Sequence, residues 1–297
     1  MLSCAESKHQ EGGGLDLALL FDIDGTLTPP RKSLQREMAT ALMHLKAPFH
    51  VAAGSDLPLV YPQFLQPLGA FGFRGEFHAF LSNGAAHYRC SYSQELSLIK
   101  LEEQSFPRCL GIDNYQYLLR TIIDVLDSDR YRLPASLRII GQRLINRKSM
   151  LNVSPIGRPR GTLSDDARRN REVFKEFDRK TRYRLQMLTT FRERLSRLQS
   201  DKKLMVLLGG ETSFDFLISG MDKTNAVRKL LAKGIKKLVF LGDALYEGGN
   251  DSVISDFIAN WTDARDCPLE AIQVQNWKET LAVLRSRGWI PTRRITQ

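Results

Sequence analysis

LDLALLFDIDGTLTPPR, residues Leu15 to Arg31, is the stretch on which the fold turns. An apolar run ends at Phe21, and two acids follow one residue apart, Asp22 and Asp24, then Gly25, Thr26 and a Pro-Pro pair. The run lacks 3.6-residue spacing and reads as a short, buried parallel strand. Gly25 and the prolines stop it. Carboxylates at i and i+2 share one face of a continuing strand. Where the strand is ending, both can turn into the crevice at its carboxyl edge, the place where open α/β sheets bind ligands. Two close carboxylates repel unless a cation or a shared proton compensates. Mg2+ suits the position, because it takes few carboxylates together with the phosphate oxygens of a substrate. One acid can then attack phosphorus while the other moves a proton.

The 297-residue chain has room for one large domain or two modest ones, and its 42% hydrophobic content is ample for a core. No apolar stretch is long enough to span a bilayer, so no membrane segment is expected. Residues 1–14, MLSCAESKHQEGGG, lack the apolar centre of a signal peptide and read as a flexible lead ending in glycines. Cys4, Cys90, Cys109 and Cys267 lie far apart with no CxxC. That spacing suggests neither a zinc site nor a disulfide scaffold and fits a reducing cytoplasm. The net charge is +10, and its location matters more than its size. Residues 130–203 hold 21 Lys/Arg against 7 Asp/Glu, which leaves the remainder mildly acidic. Such a segment can bind nucleic acid, attract a doubly phosphorylated small molecule, or be a solvated helix face.

Along the chain, Ser33 to Lys46 reads as a helix capped by Ser33 with Leu34, Met38, Ala41, Leu42 and Leu45 as its apolar stripe. Phe49 to Ala53 is a second strand that ends in Gly54-Ser55-Asp56. Leu57 to Leu65 reads as helical, and Phe77 to Leu81 as a third strand before the turn Ser82-Asn83-Gly84. From about Ser91 to Leu217 the character changes. There is an amphipathic helix over Asp113–Leu126, paired strands at 137–146 and 150–153, a basic helical stretch over Ser164–Leu198, and strands at 204–208 and 213–218. Strands mixed with helices and inserted between core segments suggest a separate α+β cap over 91–217, with the core in 15–90 and 218–297. Asp222 is a good N-cap for a helix to Lys233. Lys223 opposes the helix dipole in the first turn, a local conflict that points to function. Leu238 to Leu241 is a fourth core strand ending in Gly242-Asp243. Gly248-Gly249-Asn250-Asp251 makes a turn, and a last strand and helix cover 271–275 and 277–287.

Asp22-Ile23-Asp24-Gly25-Thr26 resembles motif I, DxDGT, of the haloacid dehalogenase-like phosphotransferases. In that family the first Asp is the nucleophile and the second the general acid/base. The resemblance implies a Rossmann-like core with a parallel sheet. The placement of Ser55 is similar to motif II, where a Ser or Thr hydrogen-bonds a phosphoryl oxygen. Three core strands end in polar residues, Asp22/Asp24, Ser55 and Asp243, and Lys223 opens an intervening helix. Mg2+ is expected on Asp22, a backbone carbonyl at Asp24, and Asp243. Lys223 and Ser55 are expected to hold the remaining phosphoryl charge, the main task in phosphoryl transfer.

The cap narrows the resemblance. NRKSMLNVSPIGR, from Asn146 to Arg158, is similar to the FRNGMLNVSPIGR of eukaryotic-type phosphomannomutases. Gly209-Gly210-Glu211-Thr212-Ser213-Phe214-Asp215, Met221-Asp222-Lys223 and Gly242-Asp243 with Gly248-Gly249-Asn250-Asp251 resemble the same family. The cap type implied is C2b. By that resemblance Arg31, Arg147 and Arg158 clamp phosphate, which suits the bidentate fork of arginine. Ser213 and Asp215 match residues that meet sugar hydroxyls and phosphate. A further substrate arginine is Arg171 counted from the aromatic-rich helix, or Arg168 counted from Ser164. Met221 stands where the family has an aromatic, and Arg143-Leu144-Ile145-Asn146 replaces Phe-Ile-Glu-Phe in a strand that supports cap dimerisation.

The resemblance implies a phosphomannomutase that interconverts mannose 6-phosphate and mannose 1-phosphate. It implies Mg2+, a hexose 1,6-bisphosphate primer, a homodimer through the cap, and a cytoplasmic place ahead of GDP-mannose synthesis. A sugar-phosphate phosphatase shares every core residue and differs in whether water reaches the aspartyl phosphate. A basic nucleic-acid-binding protein needs exposed aromatics beside its cations. The basic segment offers few, Tyr131, Phe174, Phe177, Tyr183 and Phe191, several of them on apolar faces.

Overall fold

The structure, a computed structural model, describes residues 16–147, 150–159, 164–202, 204–218, 220–246, 249–262 and 266–291. The expected lead over 1–14, Lys148, Ser149, Gly248 and residues 292–297 lie outside the described residues. The chain divides into two compact units, one running to Leu101 and resuming at Lys223, the other Glu102–Asp222.

In chain order the first unit begins with β1 (Leu17–Phe21), α1 (Arg36–Met43), β2 (Phe49–Ala52), α2 (Leu57–Val60), a π turn (Tyr61–Leu65) and α3 (Gln66–Ala70). It continues with β3 (Gly75–Leu81), β4 (Ala86–Tyr92) and β5 (Leu96–Glu103). The second unit carries α4 (Phe106–Leu110), α5 (Ile112–Leu126), β6 (Gln142–Asn146), β7 (Met150–Arg158), α6 (Asp165–Thr181), α7 (Tyr183–Arg194), α8 (Ser196–Lys202), β8 (Leu204–Gly209) and β9 (Ser213–Ile218). The first unit then closes with α9 (Lys223–Ala232), β10 (Lys237–Gly242), α10 (Ser252–Ala259), β11 (Leu269–Gln273) and α11 (Trp277–Ser286).

β1 lies inside a seven-stranded sheet ordered β11-β10-β1-β2-β3-β4-β5. The pairs β11/β10, β10/β1, β1/β2 and β2/β3 are parallel, and β3/β4 is antiparallel. Leu19 and Phe21 face one apolar cluster with Met38, Leu42, Phe64, Phe77 and Leu281. Ala18 and Leu20 face another with Val227, Leu230, Phe240 and Ile254. A strand covered on both faces has no polar alternate positions, which is why the run Leu17–Phe21 is continuously apolar. The chain leaves β1 toward β2 on one side and returns to it through β10 on the other. The carboxyl end of β1 is therefore a topological switch point, where a crevice opens beyond the strand ends.

Several expected boundaries differ. Ser33 does not cap α1, which starts at Arg36 after Gln35; the Leu34 amide donates instead to the Gln63 carbonyl at 2.8 Å, outside the helix. The segment 57–65 is not one plain helix. Pro62 brings no N–H to the ladder, and the turn widens to π geometry there before α3 resumes. β5 extends the core sheet beyond the division expected after residue 90, and the compact units divide after Leu101 and Asp222 rather than after 90 and 217.

In the second unit an antiparallel sheet ordered β6-β7-β9-β8 packs Leu151, Val153, Phe214 and Phe216 against Leu118, Ile122, Phe174 and Phe191 of the helices. Ser164 caps α6, its hydroxyl accepting from the Ala167 amide at 3.2 Å.

Candidate active site

Asp22 is the first residue past β1, and its amide donates to the Leu241 carbonyl of β10 at 2.9 Å. This bond extends the parallel pairing by one step and fixes the carboxylate between the two strand ends. Lys223, the first residue of α9, is 1% exposed. Its ammonium donates to Oδ1 of Asp22 at 2.7 Å and also to Oδ1 of Asp251. A buried lysine without partners would be prohibitively costly, and here two carboxylates compensate it. Lys223 therefore stands in a first turn that disfavours it because its head is held by anions brought from elsewhere in the sheet.

Asp251 is fully buried in front of α10, and its carboxylate does not cap that helix. Oδ2 accepts from the Ala244 amide at 3.3 Å, while the Asp251 amide donates to the Ala244 carbonyl at 3.1 Å. Asp243, half-buried, lies against the α-carbon of Gly25. Any Cβ at Gly25, whose φ is +90°, would run into the Asp243 carboxylate. Glycine is needed there for both reasons. One oxygen from each of Asp22, Asp243 and Asp251 lies within 4.8 Å of the others.

Burial first, opposed by the Lys223 charge and reinforced by Asp251 and Asp243, pushes the Asp22 carboxyl up to about 7. Burial and the Asp251 charge raise Asp243 as well. Burial would pull the Lys223 ammonium down, but Asp22 and Asp251 outweigh it and hold the group above its ordinary value. Three carboxylates around one ammonium leave excess negative charge. An all-oxygen set of this kind fits a hard divalent cation such as Mg2+ better than a thiophilic metal.

Asp24 points differently. Oδ1 accepts from the Arg31 amide at 2.6 Å and from Nε2 of Gln63 at 3.0 Å, and Oδ2 pairs with Nε of Arg31 at 3.1 Å. Ser55 follows β2, and its carbonyl accepts from the Ser82 amide at 2.9 Å. The adjoining Gly54 is flanked by the side chains of Asn83 and Asn250, which a Cβ would meet at 3.1 and 3.8 Å. The loop that carries Ser55 thus adjoins the loop that carries Asp251.

In the second unit Asn152, on β7, donates from Nδ2 to Oδ1 of Asp215 at 2.6 Å and to Oγ of Ser213 at 3.1 Å across the β7/β9 pair. Ser213 Oγ donates in turn to the Gly209 carbonyl. The buried Oδ1 of Asn152 has no hydrogen-bond partner among the described residues. Arg147 closes the β6–β7 turn through its amide to Met150 at 2.8 Å, and Arg158 ends β7. Of the two alternatives on α6, Arg171 reaches Glu211 at 2.8 Å, in the β8–β9 turn beside Ser213. Arg168 pairs with exposed Asp165 at 3.3 Å on its own helix.

Asp22 and Lys223 come together buried, with the half-buried Asp243 beside Asp22, while the Asp24 carboxylate is engaged by Arg31. Sequence reasoning missed Asp251, Gln63 and Asn152. Asp251 belongs to the Gly248-Gly249-Asn250-Asp251 run that resembles the family, the signal that could have found it, but in sequence it reads only as a turn before a helix; the structure gives it its partner, Lys223. Gln63 carries no pattern, and Asn152, a polar residue within the NRKSMLNVSPIGR run, has no role of its own in the sequence reading.

The sequence profile described as eukaryotic phosphomannomutase matches residues 38–268. The match begins beyond Asp22 and Asp24, so the reading of these two rests on motif and strand-end geometry. The chain is 34% identical over 236 residues to the phosphomannomutase of Schizosaccharomyces pombe, covering 78% of this chain and 82% of that one. It is 32% identical over 252 residues to that of Saccharomyces cerevisiae, covering 84% and 88% respectively. In shape it resembles the N-terminal truncated IMP-nucleotidase of Plasmodium falciparum, with a TM-score of 0.55 and 15% identity over 92% of this chain and 70% of that one. That likeness is one of fold and agrees with a haloacid dehalogenase-like core.

Proposed function

This chain belongs to the eukaryotic phosphomannomutase family, and from that premise we propose that it interconverts mannose 6-phosphate and mannose 1-phosphate through a phosphoryl group carried on Asp22. A hexose 1,6-bisphosphate primes the aspartate. Asp22 forms the bond to phosphorus as the bond to the sugar oxygen breaks, and Asp24 gives that oxygen its proton. Primed in this way, Asp22 passes the phosphoryl group to the free hydroxyl of a hexose monophosphate as Asp24 takes that hydroxyl's proton; the resulting bisphosphate turns over and presents its other phosphate, which Asp22 takes while Asp24 returns the proton to the departing sugar oxygen. Lys223 orients the Asp22 carboxylate and balances charge, and Ser55 donates to a phosphoryl oxygen. Asp22, Asp243 and Asp251, with a backbone carbonyl at Asp24, would hold Mg2+, which when bound screens the phosphate from the attacking carboxylate.

Arg31, Arg147, Arg158 and Arg171 grip phosphate, with Arg168 the alternative to Arg171. Ser213 and Asp215 bind sugar hydroxyls, oriented by Asn152. The two units act as core and cap, the protein dimerises through the cap, and its product feeds GDP-mannose synthesis in the cytoplasm. Among the described residues no helix is long and apolar enough to cross a membrane, which is in keeping with a hexose phosphate as partner.

The observation that carries this reading is Asp22, buried at a strand end and held by Lys223 in a chain of this family. Phosphorus NMR with mannose 1-phosphate, catalytic glucose 1,6-bisphosphate and Mg2+ tests it. Isomerisation is expected in the parent and none in Asp22→Asn. Steady release of inorganic phosphate without isomerisation would replace the mutase by a phosphatase.

A further inference from the structure

We propose that Gln63, presented by the π turn Tyr61–Leu65, is the positioning residue of Asp24, and that it divides the work of the two Asp24 oxygens. The inference rests on the reading of Asp24 as the group that moves the proton.

Gln63 is fixed at both ends. Its backbone carbonyl accepts from the Leu34 amide at 2.8 Å. Its side-chain amide spends one N–H on Oδ1 of Asp24 at 3.0 Å and the other on Oγ1 of Thr28 at 2.8 Å. The Thr28 hydroxyl passes its own proton to the Ile23 carbonyl at 3.2 Å. Every donor in this chain has one acceptor, so the direction of each bond is determined and the Gln63 amide cannot turn over. A carboxylate accepts and an amide oxygen cannot donate, which alone places Nε2 toward Asp24. The widened helical turn supplies the unusual element. Prolines at 58, 62 and 67 disturb the ladder around it, and π turns of this kind often sit at functional sites.

The two oxygens of Asp24 are therefore not equivalent. Oδ1 has two donors on rigid mounts, the Arg31 amide at 2.6 Å and Gln63. Oδ2 has the guanidinium of Arg31 at 3.1 Å, on a side chain that is 70% exposed. Arg31 is also the residue assigned to a substrate phosphate. When phosphate takes that guanidinium, Oδ2 is released while Oδ1 stays pinned, so Asp24 does not rotate away. Oδ2 then delivers the proton: the phosphorus–oxygen bond breaks with its electron pair going to the sugar oxygen, which receives the proton held on Oδ2. The reverse half-reaction returns it. Arrival of the phosphorylated substrate and readiness of Asp24 are in this way one event.

The test is Gln63→Met, which keeps the length of the side chain and removes its donors. In the isomerisation assay kcat is expected to fall ten- to a hundredfold with KM within twofold, since the lost contact acts on proton transfer rather than on sugar binding. Acetyl phosphate supplies the second measurement, because acetate departs from phosphorus without needing a proton. Phosphorylation of Asp22 by acetyl phosphate, read by protein mass, is expected at the parental rate. Equal losses in both assays would show a merely structural role, and an unchanged kcat would show none; either overturns the inference. Asp24→Asn, run alongside, is expected to fail with the bisphosphate and to succeed with acetyl phosphate. If it transfers from the bisphosphate as fast as the parent, the reading of Asp24 itself falls, and this inference with it.

Discussion

The Lys223 ammonium lies 2.7 Å from Oδ1 of Asp22, with both groups withdrawn from water and their residues 201 positions apart in the chain. Their pairing joins the end of β1 to the start of α9, and it sets the electrostatic state of the whole cluster. Lys223 is the only cation paired with Asp22 and Asp251 among the described residues.

Lys223→Met should therefore be severely destabilising, because it leaves buried carboxylates with nothing to offset them. A loss of about 3–5 kcal/mol in urea unfolding is expected, together with loss of isomerase activity. Asp22→Asn, which removes one negative charge and keeps an acceptor for Lys223, should lose activity while remaining close to parental stability.

Mg2+ binding should strengthen as pH rises. The metal-free Asp22 carboxyl titrates at about 7, and a cation must displace that proton. Affinity measured calorimetrically should be about tenfold weaker at pH 6 than at pH 8 for the single proton displaced. In the metal-free protein the sign of the stability effect is the reverse. A carboxyl raised in the folded state contributes fully below its unfolded value of 3.8, and that contribution is lost as pH climbs through about 7. Chelation with EDTA should lower Tm more at pH 8 than at pH 6, and the difference should shrink in Asp22→Asn.

His50 should give the opposite pH dependence. It is buried on β2, its Nδ1 accepts from the His78 amide at 3.1 Å, and burial followed by the nearby charges of His78, Lys233 and His87 pulls its pKa down to about 3. The unfolded chain binds this proton near 6.5, so stability present above that value is lost as pH falls toward 3, by up to about 1.4 kcal/mol per pH unit. His50→Asn keeps an acceptor near Nδ1 and does not titrate. Urea midpoints of this variant should be flatter between pH 6.5 and 5 than those of the parent, with the residue of the slope belonging to His78, which burial also lowers.

Asn152→Ala should act on substrate affinity. Its amide holds Asp215 at 2.6 Å and Ser213 at 3.1 Å, and without it the pair assigned to sugar hydroxyls loses its orientation. KM for mannose 1-phosphate should rise about tenfold, the worth of one charge-assisted hydrogen bond, with a smaller change in kcat. Steady-state kinetics at saturating primer would measure it.

What could be read without coordinates was whatever is encoded within a few residues. The continuous apolar run Leu17–Phe21 could only be a strand covered on both faces, and acids placed after it could only emerge at its carboxyl end. Ser164 announced the start of α6 three residues before the amide it accepts from, and the Lys223 conflict with its helix dipole marked that residue before any partner was known. The tertiary structure alone decided which distant groups meet. Asp251 answers Lys223, Gln63 answers Asp24, and β5 joins the core sheet instead of the inserted segment. The first and last depend on strand order and the second on a turn distorted by proline, and such long-range closures leave no periodic trace in the chain. A side chain's neighbours across a sheet are set by the packing of the whole layer, whereas its tendency to end a strand or start a helix is set by its own backbone and the next few residues.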